Sequence, residues 1–136
     1  MNYLLDTNIC IALINESSGR VRTRFMQAVR GKAVLATSAI VVHELWYGVA
    51  KSQLAARNAS ALLAFRDREV PILEYSAEDA RAAGEIRATL EGQGQRIGEY
   101  DTLIAGQAYA RNLILVTANT REFARVKGLI VEDWTL

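Results

Sequence analysis

The chain is poor in the features that staple small proteins or send them elsewhere. It holds one cysteine, Cys10, so no disulfide can form within it, which fits a reducing cytoplasm. Cys10 lies in an apolar stretch and reads as a small packed hydrophobe rather than a nucleophile. With a single histidine, His43, soft ligands are too few to favour zinc. No apolar run reaches the roughly 18 residues of a membrane span. The start, Met1-Asn2-Tyr3-Leu4-Leu5-Asp6, has no basic segment and meets an acid at once, which argues against a signal peptide. There is no internal repeat, low-complexity stretch or linker. The expectation is one domain over residues 1–136. A chain of this size buries about two-thirds of its unfolded surface and needs no staple.

What is present is unevenly placed. Net charge is only +1, yet between Glu16 and Glu44 there is no acid, and Arg20, Arg22, Arg24, Arg30 and Lys32 lie in that interval. It carries +5 and leaves −4 on the rest. Such a segment suits either a polyanion track or a solvated helix face with acids nearby.

Strand and helix patterns alternate along the chain. Tyr3–Leu5 is a short apolar strand ending at Asp6, and Ile9 to Ile14 has helical spacing up to Ser17-Ser18-Gly19. Val21 to Val29 predicts a second helix stopped by Gly31, and Ala33–Ala36 a buried strand. Thr37 or Ser38 can cap a helix reaching about Ser52, with another over about Leu54–Phe65. Val70–Leu73 is a strand whose Pro71 favours an edge or a strand start. Ser76 with Asp79 resembles a capping arrangement for a helix to about Glu91. Tyr100–Arg111 is helical, and Ile114–Val116 and Leu129–Val131 are strands. Continuous apolar strands between helices predict an α/β domain, a mainly parallel sheet with helices on both faces. Sites in such sheets form beyond the carboxyl ends of the strands, which directs attention to Asp6 and to Thr117-Ala118-Asn119.

Most of the 15 acids need no special role, and Glu78, Asp79, Glu85 and Glu91 read as the polar surface of one helix. Glu44 differs, because Ile40, Val41 and Leu45 make its helix face apolar. A carboxylate there costs several kcal/mol unless it is paired with an arginine or bound to metal. Asp101 shares a face with Ile104, Ala105 and Ala108, though a first-turn Asp also suits the helix dipole. Asp6 ends a strand and can cap the next helix. If the three share one cleft, charges ~5 Å apart repel by about 3 kcal/mol at a dielectric near 20. A cluster of that kind calls for raised pKa values or a hard cation such as Mg²⁺ or Mn²⁺. Such an ion suits phosphodiester hydrolysis. A phosphotransfer enzyme with Asp6 as nucleophile is a rival, but it usually wants a second acid at position 8, which is Asn8.

Four segments in order carry a resemblance: Leu5-Asp6-Thr7-Asn8-Ile9, Ser38 through Glu44-Leu45 to Gly48, Ile97 through Asp101 to Ala105, and Val116 through Asn119 to Phe123. Together they resemble the PIN domain nucleases, most closely the VapC ribonuclease toxins of toxin–antitoxin pairs. The resemblance covers essentially the whole chain and implies a PIN-like three-layer sandwich. It implies an endoribonuclease using Mg²⁺ or Mn²⁺ to activate water for in-line attack, with 5′-phosphate and 3′-hydroxyl ends. The family's three acids fall on Asp6, Glu44 and Asp101. Its fourth polar position falls on Asn119, an uncharged water or substrate positioner that can also cap a short helix with Glu122. Thr7 and Thr117 fit supporting roles, and Glu99 is an extra acid relative to many members. The resemblance also implies a homodimer acting on tRNA or another structured RNA and neutralised by a small antitoxin, with no membrane and a cytoplasmic location. The five basic residues become candidates to follow the RNA backbone, and Trp46 and Tyr47 to line an antitoxin groove. An inactive PIN-like module that only binds a partner would not need the intact acid set. His43 points away from Glu44, since adjacent helical side chains diverge by about 100°, and reads as structural.

Overall fold

The structure is a computed structural model that describes residues 1–67 and 70–136. Strands β1 (Asn2–Leu5), β2 (Val34–Ser38), β3 (Ile72–Leu73), β4 (Ile114–Val116) and β5 (Val131–Glu132) form one sheet in the order β3-β2-β1-β4-β5. Every pairing is parallel. Between them run α1 (Thr7–Asn15), α2 (Gly19–Arg30), α3 (Ala39–Lys51), α4 (Ala55–Arg66), α5 (Ala77–Gly92), α6 (Glu99–Ala110) and the single turn α7 (Thr120–Phe123). From β1 to β3 the chain steps one way across the sheet, and from β3 to β5 it moves past β1 the other way. Right-handed crossovers therefore put α1–α4 on one face and α5–α7 on the opposite face.

The reversal falls between β1 and β4, the two strands buried deepest. Leu4, Leu5, Leu115 and Val116 are fully buried, as strands covered on both faces require. Where two neighbouring strands send their connections to opposite faces, their carboxyl ends open a crevice. Asp6 follows β1 there, and Thr117 follows β4.

The predicted elements are all present among the described residues, with shifted ends. β2 runs on through Thr37 to Ser38, because both pair with β3, and Ser38 then caps α3 by accepting from the Ile40 amide at 3.0 Å. The last strand lies two residues later than the apolar run suggests. Gly128 takes a left-handed turn at φ 88°, and the Leu129 amide still serves Val126 at 3.3 Å, so pairing starts only at Val131.

One expectation is overturned. Asp79 is not part of a solvated helix face but is 1% exposed. It completes a capping box with Ser76, accepts from Arg111 Nε and Nη2 at 3.1 and 2.8 Å, and accepts from Gln107 Nε2 at 3.1 Å. This ties the start of α5 to the end of α6. The two helices also cross closely, because a Cβ on Gly106 would lie 2.6 Å from Ala83. α6 is thereby clamped along its length, and its first turn carries Asp101.

Candidate active site

Each acid reaches the crevice from a different element. Asp6 is the N-cap of α1, with Oδ1 accepting from the Thr7 amide at 2.8 Å. Its other oxygen accepts from Thr117 Oγ1 at 2.6 Å. The residue is 4% exposed, so capping and site membership coincide. Thr7 Oγ1 donates to Glu44 Oε1 at 3.1 Å, joining α1 to α3. Across the crevice, Asn119 Nδ2 donates to Asp101 Oδ2 at 3.2 Å and to Glu122 Oε2 at 3.0 Å. Two carboxylate acceptors fix the amide orientation, since only its NH₂ can donate. The Asn119 backbone N–H donates to Thr117 Oγ1 at 3.0 Å. Asp6, Thr7, Glu44, Asp101, Thr117 and Asn119 are thus one connected network.

Two details depart from the sequence reading. Asn119 does not cap α7 with its side chain; the amide group faces the carboxylates instead. Glu122, read only as a capping partner, is a fourth acid of the cluster. Its signal was the three-residue spacing from Asn119 at the start of a helical turn, which brings both side chains to one side.

The electrostatics follow from crowding. Burial pushes Asp101 up to about 7, helped by the charge of Asp6, by a hydrogen bond and charge from Glu122, and by the charge of Glu44. Burial also raises Asp6, outweighing the hydrogen bonds from Thr117 and Thr7. Glu44 is raised by burial and by Asp6, with Thr7 and the charge of His43 opposing. Among the described residues no arginine or lysine pairs with any of the four acids, so an internal ion pair does not account for Glu44. Nor do three Asp, Glu, His or Cys side chains close into a ready cage there. The crevice therefore presents hard carboxylate oxygens at its walls, with no lysine or arginine among the described residues paired to them.

The basic segment stands apart from this network. Arg20, Arg22, Arg30 and Lys32 are exposed, whereas Arg24 is engaged within the chain: Nη2 lies 3.1 Å from Glu132 Oε1, and its guanidinium sits 5.8 Å from the centre of the Trp134 ring. Glu99 is paired with Arg96 at 3.5 Å. Cys10 is fully buried, and burial pushes its thiol up to about 12, which leaves it unreactive. Trp46 and Tyr47 are 39% and 61% exposed, so neither fills the core.

The PIN domain family model matches residues 3–129. This chain belongs to the PIN domain family. Its similarity is to the VapC ribonucleases within that family. It is 44% identical over 135 residues to the tRNA(fMet)-specific endonuclease VapC of Shigella flexneri, covering 99% of each. It is 41% identical to Ribonuclease VapC2 of Rickettsia felis, covering 98% of each. The crystal structure of VapBC2 from Rickettsia felis, bound to a promoter DNA fragment, contains a chain that superposes with a TM-score of 0.92 at 40% identity, over 98% of this chain and 99% of that one. VapBC-1 of nontypeable Haemophilus influenzae gives a TM-score of 0.89 at 32% identity, with full coverage of both chains. The fold and the ordered motifs of this VapC-type chain thus agree over its whole length.

Proposed function

We propose that the chain is a Mg²⁺- or Mn²⁺-dependent endoribonuclease toxin that acts as a homodimer on tRNA and is held in check by a cognate antitoxin. The observation that carries this reading is the convergence of Asp6, Glu44, Asp101 and Glu122 on one crevice without a protein cation to neutralise them. The residues fit such an ion: hard oxygens in an open arrangement suit Mg²⁺, which binds one or two carboxylates and keeps several waters. Asp6, Glu44 and Asp101 would hold it. When bound, the ion polarises the phosphate and makes water more acidic.

The chain's own groups hold those oxygens ready. Because Thr117 Oγ1 accepts from the Asn119 amide, its proton is directed at Asp6 and keeps that carboxyl an acceptor. Thr7 orients Glu44 in the same way. Asn119 spans Asp101 and Glu122 with its NH₂, leaving its carbonyl to receive a water or a substrate hydroxyl. The name of the Shigella relative supports tRNA as substrate. The VapBC complexes support an antitoxin partner. The exposed Arg20, Arg22, Arg30 and Lys32 are the residues to contact RNA phosphates, while Arg24 would first have to leave Glu132.

The test is incubation of the purified chain with tRNA(fMet) and with bulk tRNA in Mg²⁺, Mn²⁺ or EDTA. Cleavage is expected in either metal, with 5′-phosphate and 3′-hydroxyl ends, and none in EDTA. Undiminished cleavage in EDTA, or cyclic phosphate ends, would sink the reading. Thr117→Val is expected to lower kcat/KM or metal affinity by about 10–100-fold, the usual effect of losing a group that orients a metal ligand. Kinetics within twofold of wild type would show that the hydroxyl does not matter.

A further inference from the structure

His43 and Tyr100 form a ring pair that makes no hydrogen bond to the four carboxylates. Their ring centroids are 5.4 Å apart with planes at 46°. His43 precedes Glu44 on α3, and Tyr100 precedes Asp101 on α6. These helices cover opposite faces of the sheet and pack together over its carboxyl edge. The rings therefore bridge the two walls of the crevice at its rim. Neither ring fills the core: His43 is exposed and Tyr100 is 49% exposed. An N-terminal helical turn does not call for an aromatic residue at position 100, where good helix formers serve as well.

The neighbouring acids add a second constraint. Four carboxylates repel an approaching phosphodiester, so affinity for the nucleotide beside them has to come from groups other than those carboxylates. Unpaired bases supply it by stacking on aromatic and histidine rings. The same exposed face of α3 continues with Tyr47, four residues after His43, and Lys51 Nζ lies 4.7 Å from the centre of that ring. Aromatic faces and a cation thus lead outward from the crevice, a pattern suited to single-stranded nucleic acid.

We infer that His43 and Tyr100 are specificity-determining residues that stack an unpaired base adjoining the scissile phosphate. This rests on the ribonuclease reading above. The rings select for a looped-out nucleotide, and the carboxylates act on the phosphate next to it.

The experiment first maps the bond that wild type cuts in tRNA(fMet). An RNA stem-loop carrying that site is then made intact and with an abasic residue at each flanking position. Tyr100→Ala and His43→Ala are compared with wild type and with Tyr100→Phe. The alanine variants are expected to lose about 5- to 150-fold in kcat/KM on the intact loop, the range from one stacked base. They should lose nothing further on one of the abasic loops, and Tyr100→Phe should retain wild-type kinetics. His43→Ala lies mid-helix at an exposed site, so it tests the idea even if Tyr100→Ala folds poorly. Equal losses on intact and abasic RNA, or no loss, would overturn the inference while leaving the nuclease standing. Weakened antitoxin binding with unchanged RNA kinetics would overturn it too and give the rings to a protein partner. Failure of wild type to cut any tRNA in Mg²⁺ would overturn the ribonuclease reading itself, and the inference with it.

Discussion

Asp101→Asn is expected to lose RNA cleavage by about 10²–10⁴-fold in kcat while making the metal-free protein more stable. The first effect follows from removing one of the charged oxygens that would hold the ion, whose stabilisation of the transition state is worth several kcal/mol. The second follows from the crowding of acids. An unfolded aspartate titrates near ~3.9, but the folded Asp101 is pushed up to about 7. Across that interval the native state binds the extra proton, so metal-free stability falls as pH rises from about 4 to 7 and is lowest above it. Asparagine has no such proton to lose. Asp101 is only partly buried, so solvent screens much of the cost, and the gain at pH 8 is about 1–2 kcal/mol, or roughly 3–8 °C in Tm. Mg²⁺ should reverse the order by stabilising wild type through binding to its native state. Single-turnover cleavage, with melting curves at pH 5 and 8 in EDTA and in Mg²⁺, tests both halves. Cleavage within tenfold of wild type would remove Asp101 from the metal site. Identical melting at pH 8 in EDTA would remove the electrostatic account.

Asp79→Ala carries the largest expected loss of stability, about 3–5 kcal/mol, or roughly 10–20 °C in Tm. Truncating Asp79 takes the carboxylate from Arg111 Nε and Nη2, leaving the guanidinium one hydrogen bond, to the Glu74 carbonyl, and leaves Gln107 Nε2 with only that same carbonyl. Burial alone would raise the Asp79 carboxyl, but the hydrogen bonds and charge of Arg111, with Ser76 and Gln107, hold it below the ordinary range. Its contribution is therefore full above the unfolded value of ~3.9 and is lost as pH falls through the lower folded value. The gap between wild type and variant should narrow in strong acid. Ser76→Ala removes only the cap and should cost about 1 kcal/mol. Asp79→Ala combined with Arg111→Ala should cost less than the sum of the two, as for any contacting pair. Urea titrations of the four proteins decide this. Additive losses would mean that the pair does not act as a unit.

The two residues illustrate what could be read from the chain and what could not. Glu44 is anomalous on its own, because the apolar neighbours that condemn a carboxylate are within one helical turn. Asp6 and Asp101 are locally ambiguous, since a cap and a ligand ask for the same residue at a helix start. In the structure Asp6 caps α1 with one oxygen and turns the other to Thr117 at the crevice, so the cap does not use the whole carboxylate. Asp79 was misjudged for a related reason: its acidic neighbours on α5 suggest a wet face, and the arginine that buries it lies 32 residues on. Glu122 was visible only as a spacing, because a crevice built from four elements has no local signature. The mainly parallel sheet followed from apolar runs alternating with helices, whereas the order of the strands within it did not. Nor did their ends, since Ser38 joins β2 only by pairing with Leu73 of a strand far along the chain.

The hydrogen bond between Thr117 and Asp6 joins residues 111 positions apart. During synthesis β1 emerges early and waits with one side unpaired until β4 arrives. A chain released before that point would lack Thr117, Asn119 and Glu122 and present an unfinished crevice. Until then Asp6 has its cap at the Thr7 amide but not the Thr117 hydroxyl that fixes its second oxygen, so the crevice takes shape only when β4 docks beside β1.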